Sequence, residues 1–276
     1  MLKMNILDEV RLSYESLSLA EKEARNVALA CTLEPISNKP GCVTRYIDLN
    51  RNTLEMFISA GVNVYPAFYH LAEFLQQSQN QEGMYKFFHE AILLSKANRK
   101  GGQINQGILE FLFPIVAAHV LYDPNNEKGT DYLLEQSSLI LKRTNTDDVR
   151  EFVAGKFAGR DITKASRGKG YEIFIHDVDN VSDFYLKEYQ REMNEKGHAT
   201  GLMHNRQFVE GFPDIKLCYD AFCKSNKKFS DRLVDAYIAV MTKKENLGIG
   251  VGLVADFTAV TIYLALSYLN DQELIE

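Results

Sequence analysis

Two short segments of this chain carry residue types that bind phosphate. The first reads Glu34-Pro-Ile-Ser-Asn-Lys-Pro-Gly-Cys-Val-Thr-Arg-Tyr-Ile-Asp48. Pro40-Gly41 is a turn signal, and a turn there presents Lys39 and Arg45 on either side of it. A lysine meets phosphate as a point charge and an arginine as a planar fork, so the pair suits a polyphosphate. A solvated surface turn would carry the same residues. The second segment, Lys96 to Gly107, places Lys100, Gly101, Gly102, Asn105 and Gly107 directly before a very apolar stretch. Glycines leading into a helix leave free amides and the positive end of the helix dipole for an anion. No Gly-Lys-Ser/Thr follows and no strand precedes, so this is not a Walker A loop. Capping of the preceding helix by Gly101-Gly102 is the plain alternative.

Other reactive residue types are scattered. His198 and His204 lie six apart, which is not the i, i+4 spacing of a helical metal pair, and read as structural histidines. His70, His89 and His119 sit singly on helices and should cap or pack. Cys31, Cys42, Cys218 and Cys223 form no Cys-x-x-Cys pair, so zinc spacing is absent. With a charged, non-secretory start (MLKMNILDEV), the thiols are expected to be reduced and the protein cytoplasmic. No Gly-x-Ser-x-Gly elbow supports a covalent nucleophile.

The elements that must position these loops are helical. Ser18 and Glu21 form a capping-box pattern ahead of Ala24, Val27, Ala28 and Cys31. A helix from about Thr53 should bend or break near Pro66. Met84 to Ser95, Ile108 to Leu121 (kinked or started near Pro114), Leu133 to Leu141 and Leu233 to Met241 continue the three-and-four spacing. Asp147-Asp148 suits a helix N-terminus. Leu253 to Leu269 has one charge, Asp256; it is too short and too polar for a comfortable bilayer helix and reads as a buried core helix. The alternating run Tyr171 to Val178 stands alone as a strand signal, and one strand makes no sheet. The expectation is an all-α, single multi-helix globular domain over residues 1–276, with the site in loops between helices. At 276 residues, 46% hydrophobic and 25% charged, the chain is neither disordered nor a disulfide scaffold. A net charge of -6 argues against a broad basic face for nucleic acid.

Together the two loops resemble the triphosphoribosyl-dephospho-CoA synthase family. Lys39, Pro40, Gly41, Val43 and Arg45 match its KPG-x-V-x-R element, with Glu34 shortly before. Asn105 and Gly107 match its Asn-x-Gly element, followed by Phe113-Pro114, and His176-Asp177-Val178 matches a later element of archaeal-type members. Order and spacing agree over roughly residues 20 to 210. The chain departs from the family at Gln103 and Ile104. It departs again at TKKENLGIGVG (Thr242 to Gly252), where an Asp and an Arg-Lys pair would stand.

The resemblance implies an ATP-dependent transferase. A ribose hydroxyl of 3′-dephospho-CoA attacks C1′ of the ATP ribose, and adenine leaves. It implies Lys39, Arg45, Lys100, Gly102, Asn105 and Gly107 as nucleotide contacts, and Asp177, Asp48 and His176 as catalytic groups. Mg²⁺ would be held by Asp177 and Asp48. The expected partners are small-molecule nucleotide and dephospho-CoA, with no nucleic acid and no membrane, and a homodimer as the assembly to test for. A different acceptor is one alternative. A catalytically weak nucleotide- or CoA-binding homologue is another, favoured by the missing Arg-Lys pair, and an unrelated helical scaffold, which would make the loop matches coincidental, is the third.

Overall fold

The computed structural model describes residues 16–49, 52–99, 104–158, 177–195, 199–243 and 250–269. They are all-α, with no strand among them and only two isolated bridges, Thr44–Ile47 and Leu49–Asn52. The first part of the Tyr171–Val178 run, through His176, lies outside the described residues.

Helix α1 (Leu19–Leu33) starts where the capping box places it. Ser18 Oγ accepts the Glu21 N–H at 3.2 Å, and Glu21 Oε2 accepts the Ser18 N–H at 2.7 Å. The chain breaks between α2 (Leu54–Asn63) and α3 (Tyr65–Ser78), with Pro66 in the first turn of α3, where its missing N–H costs nothing. After α4 (Tyr85–Leu94) comes α5 (Gln106–Tyr122), buried almost all round. Pro114 lies inside α5 rather than at its start, because apolar packing on every side outweighs the one helical hydrogen bond lost to the Glu110 carbonyl. Helix α6 (Thr130–Lys142) follows. At α7 (Thr146–Phe157) Asn145 caps the amides of Asp147 and Asp148 at 3.0 Å each. Asp148 also accepts the Gly83 and Tyr85 amides at 3.1 and 3.0 Å, tying α7 to the start of α4. The rest is α8 (Val181–Asn194), α9 (Ala199–Glu210), α10 (Pro213–Lys224), α11 (Phe229–Lys243) and α12 (Val251–Tyr268).

Aromatic rings fill the space around α5. Tyr85, Phe88, Phe113 and Phe152 meet at centroid separations of 5.0 to 5.9 Å, mostly edge to face or tilted. Tyr185 stacks on Phe208 at 3.7 Å, and Phe208 on Phe111 at 5.0 Å. Helix α12 is long and apolar enough to cross a membrane, but 72% of it is buried inside the protein, so it serves as a core helix.

The direction of three central helices sets up the site. Helix α1 packs antiparallel to α5 and α12. Its early residue Glu23 meets His119 and Tyr263, late in α5 and α12, with both contacts on the Glu23 carboxylate. The C-terminal end of α1 therefore meets the N-termini of α5 and α12.

Candidate active-site cleft

A cleft of about 340 Å³ opens at that meeting point. Its walls are Glu34, the turn 41–43, Leu49, Asn52 and Phe57 on one side. Residues 104–107 and Val251, Gly252, Ala255 and Asp256 form the other. The volume is at the low end of small-molecule sites, roughly 300–1,000 Å³.

The Lys-Pro-Gly turn is built inward. Lys39 is fully buried, its ammonium 3.0 Å from Glu34 Oε1 and donating to Ser37 Oγ at 2.8 Å and to the Glu34 carbonyl. Burial raises the Glu34 carboxyl and the Lys39 ammonium pulls it back. Lys39 therefore neutralises Glu34 and staples the turn, rather than standing free as a cation. Tyr237 of α11 donates to the Pro40 carbonyl at 2.9 Å. Gly41 has φ +78°, and a Cβ there would sit 3.3 Å from Val251, so glycine lets the turn rest on the start of α12. Arg45 is exposed, its Nε donating to the Ile36 carbonyl at 3.1 Å. Asp48 is also exposed, and its Oδ1 accepts the Leu54 N–H at 3.0 Å at the head of α2.

The opposite wall is different. Asn105 precedes α5 in the left-handed region, φ +64°, which asparagine tolerates better than most residues. It is 5% exposed, and neither atom of its side-chain amide has a hydrogen-bond partner among the described residues. It does not cap its own helix. Leaving such an amide unpaired costs on the order of 1–3 kcal/mol per group, so a ligand that satisfies it recovers that energy. Gly107 lies in the first turn of α5, and a Cβ there would fall 2.1 Å from Asp256 Oδ2. Only glycine lets the Asp256 carboxylate lie against the α5 N-terminus.

Asp256 makes no hydrogen bond or ion pair with the described residues. Desolvation, reinforced by the negative Glu34 and Glu110 and opposed by Lys39, pushes its carboxyl well above the usual carboxylate range. Behind the cleft, Gln106 Nε2 donates to Glu110 Oε1 at 2.9 Å. Glu110 Oε2 pairs with Lys156 and accepts from Tyr185 at 3.2 Å. Burial alone would raise the Glu110 carboxyl, but Lys156 and these hydrogen bonds hold it below its ordinary value. His204 lies 3.4 Å from the same oxygen and is pushed down to about 4 by burial, so it is neutral.

The structure thus gathers Asn105 and Gly107, with Glu34 and the turn 41–43, around one cleft. Lys39 lies just behind its wall. Arg45, Asp48 and Asp177 do not line it; Asp177 is exposed, its carbonyl accepting from Lys187. Lys100, Gly102 and His176 lie outside the described residues. Among the described residues no group of three or more His, Cys, Asp or Glu could hold a metal ion. Asp256 was missed as a site residue, although it stands as a lone charge in an apolar helix.

A solved structure from Archaeoglobus fulgidus, assigned as a triphosphoribosyl-dephospho-CoA synthase, is similar at 15% identity, covering 76% of this chain and 98% of that one with a TM-score of 0.45. Comparison with curated proteins returns no match. The family model for ATP:dephospho-CoA triphosphoribosyl transferase matches residues 20–249, a span that includes the Lys-Pro-Gly turn and the Asn-x-Gly element on both walls of the cleft. The chain belongs to the ATP:dephospho-CoA triphosphoribosyl transferase family.

Proposed function

We propose that this protein transfers the triphosphoribosyl group of ATP to a ribose hydroxyl of 3′-dephospho-CoA, and that the reaction takes place in the cleft between Asn105 and the Lys-Pro-Gly turn. The observation that carries this reading is the buried, unpaired amide of Asn105 at a point where two helix N-termini converge. Among the described residues, neither α5 nor α12 has a side-chain cap. First-turn amides lack intrahelical partners, and each helix adds the positive end of its dipole. Two such ends facing one cleft attract a polyphosphate without needing a cluster of free lysines.

The fixed charges of the cleft are consistent with an anionic substrate. Lys39 cancels Glu34, and a protonated Asp256 carries no charge to repel phosphate. Leu49, Phe57 and Ile104 offer an apolar face on which a base can lie. The described residues offer no carboxylate cage for Mg²⁺: Glu34 is committed to Lys39, and Asp48 and Asp177 stand outside the lining. In this reading Mg²⁺ enters as Mg-ATP, bound chiefly through the phosphates.

The test is ligand-induced stabilisation, which rises with ligand concentration over Kd. Mg-ATP should raise the melting temperature well beyond AMP at equal concentration, and Asn105→Gly should erase most of the difference. Equal shifts from ATP and AMP would refute a triphosphate site here.

A further inference from the structure

The transfer leaves a proton to be moved. As adenine departs, the C1′–N9 bond breaks and its electron pair goes to the base, which must gain a proton to leave as neutral adenine. The acceptor hydroxyl forms the new C1′–O bond and must lose one. The geometry points to Asp256 as the group that carries this proton, giving it to a ring nitrogen of adenine and recovering it from the acceptor hydroxyl. Atoms balance over the cycle, because the hydroxyl proton ends on adenine and the Asp256 carboxyl is restored.

Four observations support the assignment, which rests on the proposed transfer in this cleft. Asp256 lines the cleft, one helical turn into α12. Its carboxyl has no hydrogen bond or ion pair with the described residues, so it is open to a ligand in the cleft. Gly107 is the only residue type that admits it at the α5 N-terminus, where a Cβ would be 2.1 Å from Oδ2. It faces the same space as the unpaired amide of Asn105, a neutral group suited to holding a substrate while Asp256 reacts.

The surroundings fix its resting state. Glu34 and Lys39 face it from the turn after α1 and Glu110 from α5, and the thiols of Cys31 and Cys42 lie within its electrostatic reach. Desolvation and the two glutamates keep its carboxyl protonated above the usual range, with Lys39 opposing. It begins the cycle as an acid, which is the form adenine departure needs.

The experiment compares two donors in wild-type protein and Asp256→Asn. The variant keeps shape but cannot transfer a proton. One donor is ATP. The other is 7-methyl-ATP, whose base is already positively charged and leaves neutral without taking a proton. With dephospho-CoA as acceptor, Asp256→Asn should bind ATP within a few-fold of wild type yet release adenine about 10²- to 10⁴-fold more slowly. With 7-methyl-ATP it should stay within about tenfold of wild type, and the wild-type fall in rate at alkaline pH should be missing from its profile. Proportional loss with both donors, or a rate with ATP within tenfold of wild type, would overturn the assignment. If the variant melts early, the wild-type profile decides, and absence of the alkaline limb overturns it. If the wild type releases no adenine from ATP, the transfer reading itself fails and the assignment falls with it; activity in the wild type separates the two failures.

Discussion

Lys39 separates the two ways of reading the Lys-Pro-Gly turn. As a phosphate cation it would be dispensable for folding and essential for nucleotide binding. In the structure its side chain is 0% exposed, and Glu34, its partner at 3.0 Å, is 4% exposed. Lys39→Met keeps the aliphatic stem and leaves a desolvated carboxylate with no cation beside it. Breaking one partner out of a buried pair costs about 3–5 kcal/mol. For a chain of this size that is a fall in melting temperature of about 5–9 °C at pH 7. The pH dependence has a definite sign. Burial already raises the Glu34 carboxyl, and losing Lys39 raises it further, so its folded pKa stands above its unfolded one. The deficit is therefore absent below the unfolded carboxylate pKa, about 4.3, and grows as pH rises above it. Glu34→Gln in the same background removes the stranded charge and should recover most of the loss. Thermal melts of wild type, Lys39→Met and Glu34→Gln/Lys39→Met at pH 5 and pH 7 measure all of this. A Lys39→Met protein that melts within a degree or two of wild type, with ATP stabilisation gone, would show that Lys39 serves the ligand and not the fold.

Asn105→Gly removes both the positive-φ strain and the unpaired buried amide, so it should stabilise the free protein by about 1 kcal/mol while losing most of the stabilisation by ATP, as denaturant melts with and without nucleotide would record. His119 donates from Nδ1 to Glu23 at 2.8 Å and from Nε2 to Asn126, and although burial opposes it, the Glu23 carboxylate leaves its pKa raised. This pair should stabilise fully below pH about 6.5 and lose its contribution as pH rises through the raised value, and His119→Gln should remove that alkaline loss from the melting curve. Asp177→Asn changes an exposed carboxylate outside the cleft lining, so the Mg-ATP shift should be unchanged; a reduced shift would bring Asp177 into the site.

What the sequence disclosed was local. The Ser18–Glu21 capping box, the break at Pro66 and the burial of α12 each depend on residues a turn or two apart, so spacing reveals them. The Gly107 and Asn105 wall was also legible as a helix-entry loop. What escaped is non-local. Nothing in the spacing of Glu34 and Lys39 tells whether they face water or each other. Asp256 lies 149 positions after Gly107, and only the antiparallel packing of α1 against α5 and α12 brings it to the α5 N-terminus. Its isolation in an apolar helix was the available signal, since an uncompensated carboxylate in such a helix needs a reason. The exposed acids Asp48 and Asp177 were attractive for their motifs, yet motif membership says nothing about which way a carboxylate turns.

The central claim is that triphosphoribosyl transfer occurs in the cleft between Asn105 and the Lys-Pro-Gly turn. Gly107→Ala tests it most directly, because a methyl placed 2.1 Å from Asp256 Oδ2 must displace the carboxylate and crowd the α5 N-terminus. Chromatography of adenine formed from ATP and dephospho-CoA should show release in the wild type that requires dephospho-CoA, and loss of at least tenfold in a Gly107→Ala protein that still melts cooperatively. Adenine release unchanged by Gly107→Ala, or a wild type that forms adenine without needing dephospho-CoA, would contradict it.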